Sequence, residues 1–195
     1  MPRNIANVIT GCRILLAPVL LLLAWLGKEQ LFLACLIVSL LSDIIDGQIA
    51  RRFGLASELG SRLDSWADLL TYAAVPVATA WLRPDLVTSE KVAFIAAVTS
   101  YALPVVVGFM KFRQLTSYHS FGARVSAYLL GAAVVVLFAH GPHWPFRMAV
   151  CVLVLAELEE IAITFVLPEP RSGVRSLGKA LEIRRQLLSP TGSVG

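Results

Sequence analysis

Six stretches of the chain, residues 5–26, 31–51, 60–82, 92–111, 121–140 and 146–167, are apolar for close to twenty residues at a time. A helix needs about 20 apolar residues to cross the roughly 30 Å of hydrocarbon in a bilayer. Inside lipid the backbone must satisfy its own hydrogen bonds, which leaves helices or closed barrels. Runs this long and continuous, without strict alternation, are helical. The chain is 57% hydrophobic and 15% charged, with a mean hydropathy of +0.74. Soluble domains are usually about 45–50% apolar and about 25% charged. The expectation is an all-α membrane protein with six transmembrane helices in one domain over residues 1–170. A polar tail follows over 171–195, with a short helix near Leu177–Leu188.

Punctuation separates the runs. Gly27, Lys28, Glu29 and Gln30 make a polar turn, and Arg83-Pro84-Asp85 stops the third run. Proline lacks the N–H that continues a helix and restricts the residue before it. Gly141, Pro142 and Pro145 enclose a tight connection beside Trp144, and Pro168 and Pro170 end the sixth run. Residues 4–11 are too polar for a cleavable leader, and none is expected. Cys12, Cys35 and Cys151 lie in apolar runs without a CxxC pair. They are expected as small buried residues, with no disulfide or zinc framework.

Six spans put both termini on one side. Of the 17 Lys and Arg residues, only Lys28, Arg83, Lys91 and Arg147 fall on the other. Basic residues concentrate in cytoplasmic loops, so both termini are expected in the cytoplasm. Charges that follow the membrane edges account for much of the net charge of +4 and speak against nucleic acid as a partner. A bacterial inner membrane is the simplest setting for so compact a chain.

The chemistry-bearing residues gather around the second connection. The second run ends with Asp43, Asp46, Gly47, Ala50 and Arg51, and the third opens with Gly60, Asp64 and Asp68. Residues three or four apart share a helix face, so each helix aims two carboxylates in one direction. A short connection makes the helices antiparallel neighbours, so the four carboxylates can converge. Anions gathered near a bilayer are costly unless a cation sits among them. An all-oxygen set suits hard cations such as Mg2+, Mn2+ or Ca2+. Two such ions can clamp the attacking and leaving oxygens of a phosphoryl displacement. Gly47, Ala50 and Gly60 let a ligand approach the backbone, and Arg51 offers a fork suited to phosphate. Together these features point to a nucleotide diphosphate.

The pattern DxxDGxxAR, eight residues, then GxxxDxxxD resembles the signature of the CDP-alcohol phosphotransferases (CDP-alcohol phosphatidyltransferases). Asp43, Asp46, Gly47, Ala50, Arg51, Gly60, Asp64 and Asp68 fill every position. The opening Asn4-Ile5-Ala6-Asn7-Val8-Ile9-Thr10, followed by Arg13, is similar to the start of that family. The resemblance implies transfer of a substituted phosphate from a CDP-alcohol, usually CDP-diacylglycerol, to an acceptor hydroxyl with release of CMP. It implies Mg2+ or Mn2+, two ions, and a homodimer in the membrane lipid. Carried over, Asp43, Asp46 and Asp64 would hold metal, and Asp68 would be the base and a further ligand. Gly47, Ala50, Arg51 and Gly60 would line the CDP site, with Asn7 and Thr10 contributing. Many glycerophosphate-using members have Asp-Pro and Ala-Asp-Lys around the last two aspartates. Here Ser65 follows Asp64 and Leu69 follows Asp68, which weakens assignment to the phosphatidylglycerophosphate branch.

Lys111, Arg113 and Arg124 are candidates for holding a phosphorylated acceptor such as glycerol 3-phosphate or inositol phosphate. Serine or free inositol is the alternative acceptor class. Glu157, Glu159 and Glu160 lie inside the sixth run, where acids are rare. They are expected to fix the cavity by pairing with Arg13 or Arg124. A different class, a small cation transporter, would call for acids at mid-membrane and broken helices in both halves.

Overall fold

The computed structural model describes the backbone of residues 2–52, 58–113, 120–171 and 173–188, and the side chains of those residues except 2–10, 12, 46–52, 58–65 and 188. Every regular element among the described residues is an α-helix: α1 (Pro2–Trp25), α2 (Glu29–Arg52), α3 (Glu58–Leu82), α4 (Pro84–Ser89), α5 (Lys91–Phe112), α6 (Phe121–Phe138), α7 (Trp144–Val166) and α8 (Leu177–Leu188). Each apolar run is a helix, and the short helix expected in the tail is α8. The sequence reading missed α4, although Pro84 at its start and Asp85 in its first turn are both helix-opening signals. Among the described residues, α5 and α6 meet the length and apolarity for crossing a bilayer. The all-helical class stands, with six long helices of which these two carry the membrane signal. Helix α7 is 23 residues long but carries Arg147, Glu157, Glu159 and Glu160.

The chain divides into two compact units, Met1–Lys91 and Val92–Gly195. In the first, α1 packs against α2 and α3. The inward faces follow helical spacing. Helix α1 buries Arg13, Ala17, Leu20 and Ala24, and α2 buries Phe32, Leu36 and Ser39. Helix α3 buries Ala67, Thr71, Ala74 and Ala78. Steps of three and four keep each set on one stripe, and alanines allow close helix approach. The Thr71 and Thr79 hydroxyls donate to the carbonyls of Ala67 and Val75 at 2.9 and 2.8 Å, so neither is stranded in the apolar seam.

The turn from α1 to α2 has a definite cause. Gly27 adopts φ +67°. Its N–H donates to Ala24, and that of Lys28 donates to Leu23. This is the Schellman arrangement, which closes a helix and reverses the chain in few residues. At the same end Arg83 reaches Glu29 at 3.3 Å and Asp85 at 3.0 Å, fastening α2 to the start of α4.

In the second unit α7 packs against α6 and α8. A Cβ on Gly122 would lie 3.3 Å from the Ala156 Cβ, so α6 and α7 approach closely there. Ile163, Leu167, Val174 and Ala180 form a buried cluster with Phe112, Val166, Leu177 and Ile183 packed on it. Val174 and α8 are therefore docked on α7. Two of the helices in this unit are followed by left-handed residues, Arg113 (φ 56°) after α5 and His140 (φ 57°) after α6.

Large apolar side chains cover the outside of the long helices, including Leu15, Leu22, Val38, Leu41, Val92, Phe109, Leu155 and Phe165. A soluble protein rarely exposes apolar surface on this scale. With the two long apolar helices it marks a membrane protein. Cys151 corrects the expectation of buried cysteines: it is exposed, and Cys35 is half-buried. Cys151 falls on an outward apolar stripe with Met148, Leu155 and Leu158, all exposed.

Candidate active site

The inward stripes of α1, α2 and α3 meet at a charged cluster. On α2 the stripe Phe32, Leu36, Ser39 continues at the next step to Asp43. On α1 the stripe Ala24, Leu20, Ala17 continues to Arg13. Arg13 is 3% exposed. Its Nη1 donates to Asp43 Oδ1 at 2.7 Å and its Nη2 to Asp68 Oδ1 at 2.5 Å. One planar guanidinium thus bridges carboxylates from two helices.

The three groups stand level. Arg13 comes eleven residues after Pro2, Asp43 nine before Arg52 and Asp68 ten after Glu58. At 1.5 Å per residue each is about 15 Å in from the nearer named end of its own helix, Pro2, Arg52 or Glu58. Periodicity paired each aspartate with its neighbour on the same helix but left Arg13 out of the cluster. The signal was available, since counting along antiparallel helices brings these positions to one height.

Asp43 and Asp68 are thus brought together. The side chains of Asp46, Gly47, Ala50, Arg51, Gly60, Asp64, Asn7 and Thr10 lie outside the described residues. Among the described residues no group of three or more possible metal ligands occurs. The donor chemistry at Asp43 and Asp68 nonetheless fits a cation, because two carboxylate oxygens already converge on one. Helices α2 and α3 run through this level without a break, unlike the unwound segments a transporter site would use.

The acceptor candidates lie in the second unit. The Lys111 ammonium donates to the carbonyls of Thr164, Phe165 and Leu167 at 2.8, 3.2 and 2.8 Å. These belong to the C-terminal end of α7, where carbonyls have no helical partner and the dipole favours a cation. Arg113 is exposed and directly follows the last residue of α5, and Arg124 is half-buried one turn into α6. Arg113 holds its left-handed backbone while its N–H donates to Phe109 at 2.8 Å.

Glu159 and Glu160 take partners other than those expected. Glu160 Oε1 accepts the N–H of Ser120, the residue that caps α6, at 3.1 Å. Glu159 Oε1 accepts the N–H of Leu177, the first residue of α8, at 3.0 Å. Arg13, one of their expected partners, is engaged by Asp43 and Asp68. A sequence shows that an acid lies in an apolar run, but not that a helix N-terminus will be delivered to it.

Comparison with known proteins agrees with this geometry. A family model described as CDP-alcohol phosphatidyltransferase matches residues 3–167. Two curated relatives are CDP-diacylglycerol--glycerol-3-phosphate 3-phosphatidyltransferases, from Rickettsia typhi and Rickettsia prowazekii. Each is 30% identical over 78 residues, 38% of this chain and 44% and 43% of the respective relative. The match therefore spans less than half the length of either relative. No solved structure matches the chain.

Proposed function

The chain belongs to the CDP-alcohol phosphatidyltransferase family, and from that premise we propose that it moves the phosphatidyl group of CDP-diacylglycerol to a polar alcohol. The acceptor oxygen forms a bond to the phosphorus nearest the lipid, the bond from that phosphorus to CMP breaks, and Asp68 takes the acceptor's proton. A placed base of this kind is worth about 10²–10⁴-fold. The observation that carries the reading is the convergence of Asp43 and Asp68 on one buried cation.

Asp43, Asp46, Asp64 and Asp68 would hold two Mg2+ or Mn2+ ions. Bound there, the ions would neutralise the diphosphate and the departing CMP. Gly47, Ala50, Arg51 and Gly60, with Asn7 and Thr10, would receive the CDP moiety, and a second copy would complete a homodimer. In this reading all six long helices span a bacterial inner membrane with both termini and the site on the cytoplasmic side. The exposed Trp25, Trp81 and Trp144 support it. They sit at the ends of α1 and α3 and the start of α7, which this topology puts at the outer interface, where tryptophan is favoured.

For the acceptor we favour a phosphorylated polyol, glycerol 3-phosphate ahead of inositol phosphate. The names of the two relatives support it, and Ser65 and Leu69 argue for testing the alternatives. Arg113 is the better phosphate candidate, because a non-glycine residue kept in the left-handed region is retained at a cost in backbone strain. The experiment is CMP release by purified protein from CDP-diacylglycerol with Mg2+ or Mn2+. Glycerol 3-phosphate, inositol phosphate, inositol and serine are offered in parallel, with Asp68→Asn as control. Release with glycerol 3-phosphate that the variant abolishes is expected; equal release by the variant refutes the role of Asp68.

A further inference from the structure

We propose that Arg13 is a positioning residue for the metal site, a built-in counter-cation that bridges Asp43 and Asp68 and competes with a divalent ion for their oxygens. The inference rests on the metal reading above and adds a residue outside the signature. Three observations carry it. Arg13 is buried on the inward stripe of α1, level with both aspartates. Its two terminal nitrogens go to two different carboxylates at 2.7 and 2.5 Å, whereas a structural Arg–carboxylate pair commonly docks both nitrogens on one. Those two carboxylates come from the two helices that carry the four-aspartate pattern, so the guanidinium is drawn to the place a divalent ion would take.

The physical consequence is competition. Carboxylates held close in a poorly solvated seam repel one another unless a cation lies between them. The guanidinium supplies that charge and keeps α2 and α3 at the spacing the site needs. A divalent ion entering the same oxygens meets a fixed positive charge a few ångströms away, which opposes it in a weakly screened site. Arg13 thus holds the site assembled and lowers its metal affinity, which favours binding of the ions together with an anionic diphosphate.

The test is Mn2+ binding to the purified full chain, stripped of metal in detergent and followed by the electron paramagnetic resonance signal of free Mn2+. Without substrate, Arg13→Gln is expected to bind Mn2+ about tenfold more tightly than the wild type, because the opposing charge is gone. Arg13→Lys is expected between the two, since an ammonium is a point charge that cannot bridge both carboxylates as a planar fork does. Should Arg13→Gln fail to fold, a severalfold tightening in Arg13→Lys carries the test. Unchanged or weaker binding in the variants overturns the inference and leaves the metal reading standing. No Mn2+ binding by the wild type or any variant overturns both.

Discussion

Lys111→Met separates two roles for a residue that the sequence marked for acceptor binding. The ammonium donates to three carbonyls at the end of α7 and stands 5.1 Å from the centre of the Phe112 ring. Hydrogen bonds from a charged group are each worth about 1.5–3 kcal/mol when buried, and a cation at a helix C-terminus adds about 0.3–1 kcal/mol. Lys111 is exposed, so screening cuts the sum to about 2 kcal/mol for the whole contact. Methionine keeps most of the stem and removes the donors. In a chain of this size 2 kcal/mol corresponds to a fall of about 4–8 °C in Tm. Thermal unfolding in detergent, read by tryptophan fluorescence, measures it, and acceptor titration measures KM beside it. The expected result is a lower Tm with KM changed less than threefold. An unchanged Tm with KM for the phosphorylated acceptor raised tenfold would refute the helix-closing role and return Lys111 to the acceptor.

Other outcomes follow from the same geometry. Arg113→Gly removes a left-handed non-glycine residue, so stability should rise by about 1 kcal/mol while KM for a phosphorylated acceptor also rises. His140→Gly should bring a similar gain with no kinetic change, and both show in denaturant midpoints. Gly141→Ala should cost about 1–3 kcal/mol: its Cβ would come 2.6 Å from Val136 Cγ1 and 2.9 Å from the Val136 carbonyl oxygen, and backbone cannot step aside as a side-chain tip can. The Arg83 hydrogen bond holds the Asp85 carboxyl below its ordinary value of 3.8. A lowered carboxylate pKa stabilises above that ordinary value and stops doing so as pH falls through the lowered one. The small Tm gap between wild type and Asp85→Asn should therefore stay constant from pH 7 down to about that value and close in stronger acid.

The helices could be read because lipid imposes a length and a polarity, and because Gly27, Pro84, Gly141 and Pro168 mark the breaks. What escaped reading depends on neighbours distant in sequence. The i, i+3 and i, i+4 rules place Asp43 with Asp46 and Asp64 with Asp68, since those relations stay within one helix. The Arg13 bridge runs between helices, so finding it takes counting along three antiparallel helices rather than the spacing within one. The bonds of Lys111 to the end of α7 escaped as well, because a sequence shows the cation and not the carbonyls it faces, which lie more than fifty residues on. Glu159 and Glu160 were rightly read as structural, with the wrong partners, because backbone N–H groups at a helix start carry no residue-type signature.

Those two glutamates make the numbering of α7 mechanically significant. Neighbours along the helix, they point to the starts of different elements, Glu160 to α6 and Glu159 to α8. Adding or deleting a single residue between Arg147 and Glu157 would swing both carboxylates by about 100° and detach α6 and α8 in one event. Substitutions along the outward stripe of Met148, Cys151, Leu155 and Leu158 can be absorbed one at a time. A change of length cannot, so α7 acts as a ruler whose tick marks locate two other helices.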